Sequence, residues 1–433
     1  MNLPLDALTA VSAANPWSYL VFGGIGFAFG FSLESAGFGD SRKLAAQFYF
    51  RELTVFKVMF TAILVAMTLL FGAVGLGLVD FGHVWVNPTY LGSGVLGGLI
   101  MGVGFIVGGF CPTTSLASAS TGKIDGMMFM AGGFVGAFLF GETESLFDHW
   151  YNNAGYHGRL TLDQVFGIPA HILVPVIVVA ALPLFWVAEQ IERLVGRRDM
   201  GREPRWRGVG AAVLALVALG VLAIGSPSLD TRYAKLSFKR SEAVQQPDGK
   251  TASVQRVYNA DEMLAKRLAF VSPAEAFKAR YQQAIKPVYL DVRAESDFNL
   301  YHLADAVHVP LARLEKMVPD LLSEPPSNTV FITIGNDEEL ATRAWKQLVA
   351  SGVQNVYILE GGVNGWIAAF GAGDPALRPL PGAGPEQLRY AFSAALGDRY
   401  KSCAPDPTHH EKPAFEPRIV LQLRRDKSGG GCG

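Results

Sequence analysis

Six apolar stretches fill the first 226 residues of this 433-residue chain, and none of comparable length follows. They are Trp17–Leu33, Val58–Val79, Leu91–Phe110, Gly126–Gly141, Val165–Ala188 and Gly208–Gly225. A bilayer crossing takes about 20 apolar residues, so four or five of them are complete spans and Gly126–Gly141 is short. Charge divides at the same place: 12 Lys/Arg and 14 Asp/Glu lie within residues 1–226, against 25 and 24 in the remainder. A lipid-solvated half therefore precedes a water-solvated half, which excludes a disordered chain. The formal charge of -1 leaves no basic footprint for nucleic acid. Cys111, Cys403 and Cys432 are too few for a disulfide framework or a four-ligand zinc site, so no metal and no cofactor is expected. The opening MNLPLDAL lacks the basic start of a cleavable signal peptide.

Basic residues beside the spans set the expected orientation. Arg42, Lys43 and Arg51 follow the first stretch, and Arg193, Arg197, Arg198, Arg202, Arg205 and Arg207 lie between the fifth and sixth. Met1–Ser18 has no Lys or Arg, and Gly141–Gln164 has only Arg159 amid four acids. The N-terminus is thus expected outside and the Arg cluster inside. With six crossings the water-solvated half emerges outside, which is the periplasm in a Gram-negative cell.

The membrane half repeats itself. Gly23-Gly24 and Gly30-Phe31 recur 74 positions on as Gly97-Gly98 and Gly104-Phe105. After a slip of two residues, Phe38-Gly39-Asp40-Ser41 faces Phe110-Cys111-Pro112-Thr113. Each unit reads as a glycine-lined helix that breaks into a small polar re-entrant turn and restarts. Paired broken helices point to a transporter's central site, and their free N–H groups suit an anion. Taken alone, the glycines fit close helix packing equally well. The second turn adds Cys111 and six hydroxyl residues within ten positions: Thr113, Thr114, Ser115, Ser118, Ser120 and Thr121. A thiol there can exchange with sulfane sulfur or donate a weak hydrogen bond to an anion; a buried inert cysteine is the alternative. Lys57 is expected to snorkel to the interface, Glu34 is open between interface and path, and His171 reads as a hydrogen-bonded packing residue.

A glycine-rich helix followed by GFCPTTS, duplicated with divergence, resembles the YeeE/YedE sulfur-transport family over about residues 16–145. The resemblance implies thiosulfate uptake along a cysteine-lined path, with Cys111, Pro112, Thr113, Thr114, Ser115, Gly39 and Ser41 on it. Gly39 stands where a second pathway cysteine is expected. Either one thiol suffices, or two protomers combine theirs.

Beyond Ser226, short strands at Val288–Val292, Val330–Ile334 and Val356–Leu359 alternate with helices at about Leu311–Leu322 and Glu338–Ser351. That alternation implies a parallel α/β sheet. LDVRAESDFNLYHLADAVHVP followed by VYILEGGVNGW resembles the rhodanese-like domain over residues 268–370. By that resemblance Asp291 and Arg293 brace the sheet edge near the active loop, His302 fills the usual Gly-His position with Tyr301 before it, and Gly361, Gly362 and Trp366 form the closing turn. The family's nucleophilic cysteine follows the strand Val330–Ile334, but this chain reads FITIGNDEELATRAW and has no cysteine between Cys111 and Cys403. Asp337, Glu338 and Glu339 put negative charge there instead, so the domain reads as catalytically silent. The chain closes on SGGGCG, whose Cys432 resembles the swinging cysteine arm of periplasmic sulfur carriers. A disordered tail, a Cys403–Cys432 disulfide and metal binding at His409-His410 are the alternatives.

The expected architecture is a polytopic α-helical membrane domain with an internal repeat and re-entrant broken helices, followed by an α/β rhodanese-like domain with a parallel sheet. Its expected boundaries are residues 1–226 for a transport domain of about six spans, 227–266 for a linker, 267–372 for the rhodanese-like domain and 373–433 for a tail ending in the cysteine arm. The expected function is inner-membrane transport of thiosulfate or a related sulfur anion, with the outer domain and Cys432 assisting capture or hand-over. The alternatives are a membrane-anchored sulfur carrier or sulfurtransferase partner that does not transport, and a scaffold. Expected partners are the sulfur anion, the lipid bilayer, periplasmic sulfur-handling proteins and a second copy of the chain.

Overall fold

The computed structural model describes residues 16–79, 81–84, 86–196, 206–245, 251–324, 328–410 and 414–421. They form two compact units that divide for the most part between Pro227 and Ser228. The expected outside N-terminus, Arg197, Arg198, Arg202, Arg205 and Cys432 lie outside the described residues.

The first unit is helical: α1 Pro16–Ser35, α2 Ser41–Ala46, α3 Thr54–Gly75, α4 Leu91–Gly108, α5 Pro112–Ser120, α6 Ile124–Thr143, α7 Ala170–Leu194 and α8 Trp206–Ile224. Large apolar side chains such as Phe27, Leu99, Val107, Phe134 and Trp186 are exposed on them. Helices satisfy their own backbone groups, so such surfaces suit hydrocarbon. Among the described residues five helices are long and apolar enough to cross a membrane: Thr54–Gly75, Leu91–Ser120 taken through its break, Ile124–Leu146, Ala170–Leu194 and Trp206–Ile224. That amends the sequence reading twice. The stretch expected to be short, Gly126–Gly141, gains Ile124 and Asp125 at its start and extends to Thr143. The first stretch does form the 20-residue helix α1, but Gly23, Gly24, Gly26, Gly30 and its serines dilute its apolar content, and it is not among the five.

The helix ends sort into two groups. Lys57 near the start of α3 meets Glu192 near the end of α7, and Glu34 at the end of α1 meets Lys123 before α6. In the other group, Leu91 and Gly92 at the start of α4 bond to Gly155 and Ala154 beyond α6, while His171 at the start of α7 meets Ser226 beyond α8. A Cβ on Gly75, at the end of α3, would touch Ile224 at the end of α8. Successive long helices therefore alternate in direction.

The second unit opens with α9 Leu229–Ala234, the antiparallel hairpin β1 Ser237–Gln245 and β2 Thr251–Asn259, and α10 Ala260–Ala265. Then follow β3 Phe270–Val271, α11 Pro273–Ala279, β4 Lys286–Asp291, α12 Glu295–Leu300, β5 Val307–His308, α13 Leu314–Ser323, β6 Thr329–Ile334, α14 Glu339–Ala350, β7 Val356–Leu359 and α15 Gly362–Phe370. The five strands pair in parallel in the order β3-β7-β6-β4-β5. Wholly buried β6, TVFITI, is β-branched or aromatic throughout, as suits a strand covered on both faces, and the buried Thr333 hydroxyl finds backbone carbonyls within 3.1 Å. Leu290, Phe331, Trp345 and Ile358 pack on one side, and Tyr289, Ile332, Trp366 and Ile367 on the other.

Two expected boundaries change. Residues 227–266 are no bare linker, because Leu236, Tyr258, Ala260 and Met263 are buried in the core of this unit. Nor is the segment after residue 372 a free tail. It forms a second hairpin, β8 Leu377–Pro379 with β9 Tyr390–Phe392, and buries Leu377, Tyr400 and Cys403 against the sheet. Apolar residues spaced singly along irregular chain give no periodic signal, yet each fills a core position.

Candidate functional site

In the membrane unit the two breaks of the repeat meet. Phe38 and Phe110, the residues before each turn, share one core with Leu44 and Val55. Gly109 ends α4 in the left-handed region at φ 72°, and a Cβ there would collide with Ser41 at 2.9 Å. Glycine alone allows both the turn and this approach. From the other side, the Ser118 hydroxyl donates to the Gly39 carbonyl at 3.0 Å. The structure thus brings Gly39 and Ser41 against the segment carrying Cys111.

Cys111 is half-buried in extended conformation at the head of α5, where Pro112 occupies the first turn. Proline is preset for that position and costs no hydrogen bond. The Cys111 N–H donates to Thr114 Oγ1 at 2.9 Å, and that hydroxyl lies 3.3 Å from Sγ. The arrangement is a capping box in which a thiol replaces the usual serine. Thr114 and Ser115 are buried, and Ser115 donates to the Pro112 carbonyl at 2.8 Å. Thr113 occupies the same first turn, half-buried.

Charge stands beside this junction. A Cβ on Gly39 would fall 2.6 Å from Glu34 Oε2 and 2.8 Å from Lys123 Nζ, so the Glu34–Lys123 pair lies directly over the first break. Lys43 donates to the Ala36 carbonyl at 3.0 Å, neutralising the C-terminal end of α1. Lys57 corrects the sequence reading: it does not snorkel but is buried, 2.5 Å from Glu192 Oε2. Glu192 is fully buried and also accepts from the Leu53 N–H at 2.5 Å. A cation whose partner lies 135 residues on has no local signature; the available clue was a pair of acids, Glu189 and Glu192, near the end of an apolar helix.

In the soluble unit the loop after β6 occupies the position of the absent nucleophile. Asp291 and Arg293 are both fully buried, and Arg293 forks onto Asp291 while donating to Asn336 Oδ1 at 3.0 Å and the Tyr301 carbonyl at 2.6 Å. They brace the loop from the end of β4, one strand in from the sheet edge. His302 stacks on Phe298 with ring centroids 3.8 Å apart, and its Nδ1 lies 2.8 Å from the Phe298 carbonyl oxygen. Gly361 and Gly362 both take positive φ, and Trp366 is buried with Nε1 donating to the Ser402 carbonyl at 2.7 Å.

The acids of this loop are largely compensated. Asp337 pairs with Arg389. Glu338 accepts a fork from Arg267 and the Gly361 N–H at 2.9 Å. Burial acts to raise the Glu338 carboxyl, but these hydrogen bonds hold it below its ordinary value. Cys403 is no substitute nucleophile: it is a free, buried thiol that burial pushes up to about 11. Cys432, its partner in the disulfide alternative, lies outside the described residues. His410 packs against Phe277 and Phe370, and among the described residues no group of three or more His, Cys, Asp or Glu could hold a metal.

Comparison with known proteins agrees with both units. The family described as sulphur transport matches residues 35–259, more than half of the chain. The rhodanese-like domain matches residues 273–369. An adenylyltransferase and sulfurtransferase uba4 of Ogataea parapolymorpha is 32% identical over 82 residues, covering 18% of this chain and 20% of its own. The Saccharomyces cerevisiae protein of the same description is 31% identical over 134 residues, 28% of this chain and 26% of its own. This chain therefore spans about a quarter or less of the length of these curated relatives.

Proposed function

Because the chain belongs to the sulphur transport family and joins to it a rhodanese-like domain, we propose that it carries thiosulfate or a related small sulfur anion across a bacterial inner membrane. The observation that carries this reading is the junction of the two helix breaks, with Cys111 at the head of one and Gly39 at the other. The positive end of a helix, buried hydroxyls and an S–H donor suit an anion. Counting α1 as a span makes six crossings. The alternating helix directions then return residue 228 to the side where α1 starts, and Arg193 and Arg207 at the facing ends of α7 and α8 favour the opposite side as cytoplasmic. The second unit would stand in the periplasm and assist capture or hand-over.

The test is uptake of labelled thiosulfate by cells carrying Cys111→Ala. Uptake falls to the background of cells lacking the protein; undiminished uptake overturns the site assignment.

A second reading makes the protein a tethered sulfur carrier working through Cys432. It is favoured by the anchoring of the chain that leads there. The Arg418 and Ile419 N–H groups donate to Glu275 at 2.8 and 2.9 Å, and Val420 exchanges hydrogen bonds with the Tyr357 hydroxyl. Mass measurement of the C-terminal peptide after thiosulfate exposure separates the readings. An unmodified Cys432 with uptake intact leaves the transporter alone.

A further inference from the structure

Three helices of the first unit, α3, α7 and α8, pack around Leu64, Val178 and Ala218. The start of α3, the end of α7 and the start of α8 are tied together by two ion pairs. Lys57 meets Glu192 at 2.5 Å, and Arg207 Nη1 lies 3.1 Å from Glu189 Oε1. From these pairs a groove of about 570 Å³ runs between the three helices, a size typical of small-ligand sites, roughly 300–1,000 Å³. Lys57, Thr61 and Val65 line it from α3, spaced four apart and so on one face. From Lys57 to Val65 the helix rises about 12 Å, away from the charged end and into the span. At that depth the walls are apolar, with Val65, Leu182 and Leu214 facing one another.

The sequence of α8 opens the groove. Gly208 and Gly210 form its third wall, and a Cβ on either would meet nothing within 4 Å. The two ion pairs differ in exposure. Glu192 is fully buried and Lys57 nearly so, whereas the side chains of Arg207 and Glu189 are 37% and 32% exposed. Lys57 is therefore committed to Glu192, and the mouth presents one base and one acid side by side. A guanidinium carries five N–H donors and a carboxylate two acceptor oxygens, so each can engage a further charge and keep its present partner. A soluble anion would leave the apolar length unfilled. A phospholipid fills it with an acyl chain and sets its headgroup at the mouth. The charge pattern also selects the headgroup. Phosphate on Arg207 and a primary ammonium on Glu189 close a ring of alternating charges. A choline headgroup has no N–H to donate, and a glycerol headgroup brings no cation to Glu189. Arg193, one helical turn past Glu189 and exposed, favours a net-anionic headgroup if charge alone decides.

We propose that this groove binds one phospholipid of the leaflet at this end of the helices, with an acyl chain between α3, α7 and α8. Its phosphate lies on Arg207 and its primary ammonium on Glu189, as phosphatidylethanolamine allows. The lipid completes the packing of α8 against α3 where the glycines leave it open. This goes beyond the transport reading and does not rest on it, because it needs only that these helices cross a bilayer, whatever the protein carries.

The test is native mass measurement of the full-length protein released from detergent. It is first mixed with equal amounts of phosphatidylethanolamine, phosphatidylglycerol and phosphatidylcholine of identical chains. Wild type retains phosphatidylethanolamine about fivefold over either competitor, the scale of one exposed charge contact. Glu189→Gln abolishes the preference and leaves lipid bound. Gly210→Leu, whose side chain enters open space rather than the protein's own packing, lowers retention of all three. Equal retention of the three lipids by wild type overturns the proposal, and so does a preference for phosphatidylglycerol, which means that net charge alone is read. Retention indifferent to Gly210→Leu places the lipid elsewhere and overturns it too. A wild-type dimer that Gly210→Leu dissolves assigns the groove to a second copy of the chain, again against the proposal.

Discussion

Two helix starts in this chain stand at the places where sulfur is expected, and they are finished differently. At the head of α5 the cap is a thiol, Cys111, tied to Thr114. At the head of α14 the loop has no thiol, and its N–H groups are taken by the carboxylate of Glu386. The supports differ as well. The first start is positioned by close approach of small residues, Gly109 against Ser41 and Ser118 against Gly39. The second is positioned by charge, with Arg293, Arg267 and Arg389 each holding one side of the loop. The contrast follows from solvent. In hydrocarbon, close backbone packing substitutes for charges that are costly there. In a water-solvated domain, arginine forks serve at smaller cost.

The strongest way to break the comparison is at Arg293. Arg293→Met leaves Asp291 buried without its counter-charge and removes the donor to Asn336. Breaking one partner of a buried pair costs about 3–5 kcal/mol. Calorimetry of the full chain should show the transition of the second unit falling by that amount, with the first unit's transition unmoved. A loss below about 1 kcal/mol would show that charge does not position this loop.

Much of this was legible in the residues. Strands β4, β6 and β7 and helices α13 and α14 follow from pattern, and the two breaks follow from the repeat. What escaped is informative. β3 and β5 are two residues each, Phe270–Val271 and Val307–His308, too short to carry any alternation. The Lys57–Glu192 pair and the Glu386–Leu340 contact join positions 135 and 46 residues apart, and no local pattern encodes such partners. For Glu386 the sequence holds only turn signals, Pro381-Gly382 and Gly384-Pro385, that mark a tip without saying what it covers. In the membrane unit, by contrast, the meeting of Gly39 and Ser41 with the segment carrying Cys111 was legible, because the repeat pairs the two breaks.

Thr114 tests the thiol cap with a smaller effect. Thr114→Val keeps the shape of the side chain and removes the hydroxyl that accepts from the Cys111 N–H and donates to Sγ. Loss of a cap costs about 1 kcal/mol. In the transport reading, labelled thiosulfate uptake falls with it while the protein remains in the membrane at wild-type amounts. Full uptake at normal abundance would mean that the orientation of the thiol does not matter.

The smallest expected effect concerns the charged supports of the second start. Its carboxyl held low by Arg267 and the Gly361 N–H, Glu338 binds its proton more weakly in the folded chain than in the unfolded one. The stabilisation is therefore fully present above the ordinary value of 4.5 and is lost as pH falls through the lowered folded value. Because Arg267 is 45% exposed, solvent screens the pair and its contribution stays at or below about 1 kcal/mol. Comparing wild type with Glu338→Gln removes the titration of every other group from the measurement. The difference in unfolding midpoint should hold constant from neutral pH down to the ordinary carboxylate range and then shrink toward zero in stronger acid. A difference that ignores pH would assign the role of Glu338 to its shape and its contact with Gly361, leaving Arg293 as the charged brace on which the contrast between the two helix starts depends.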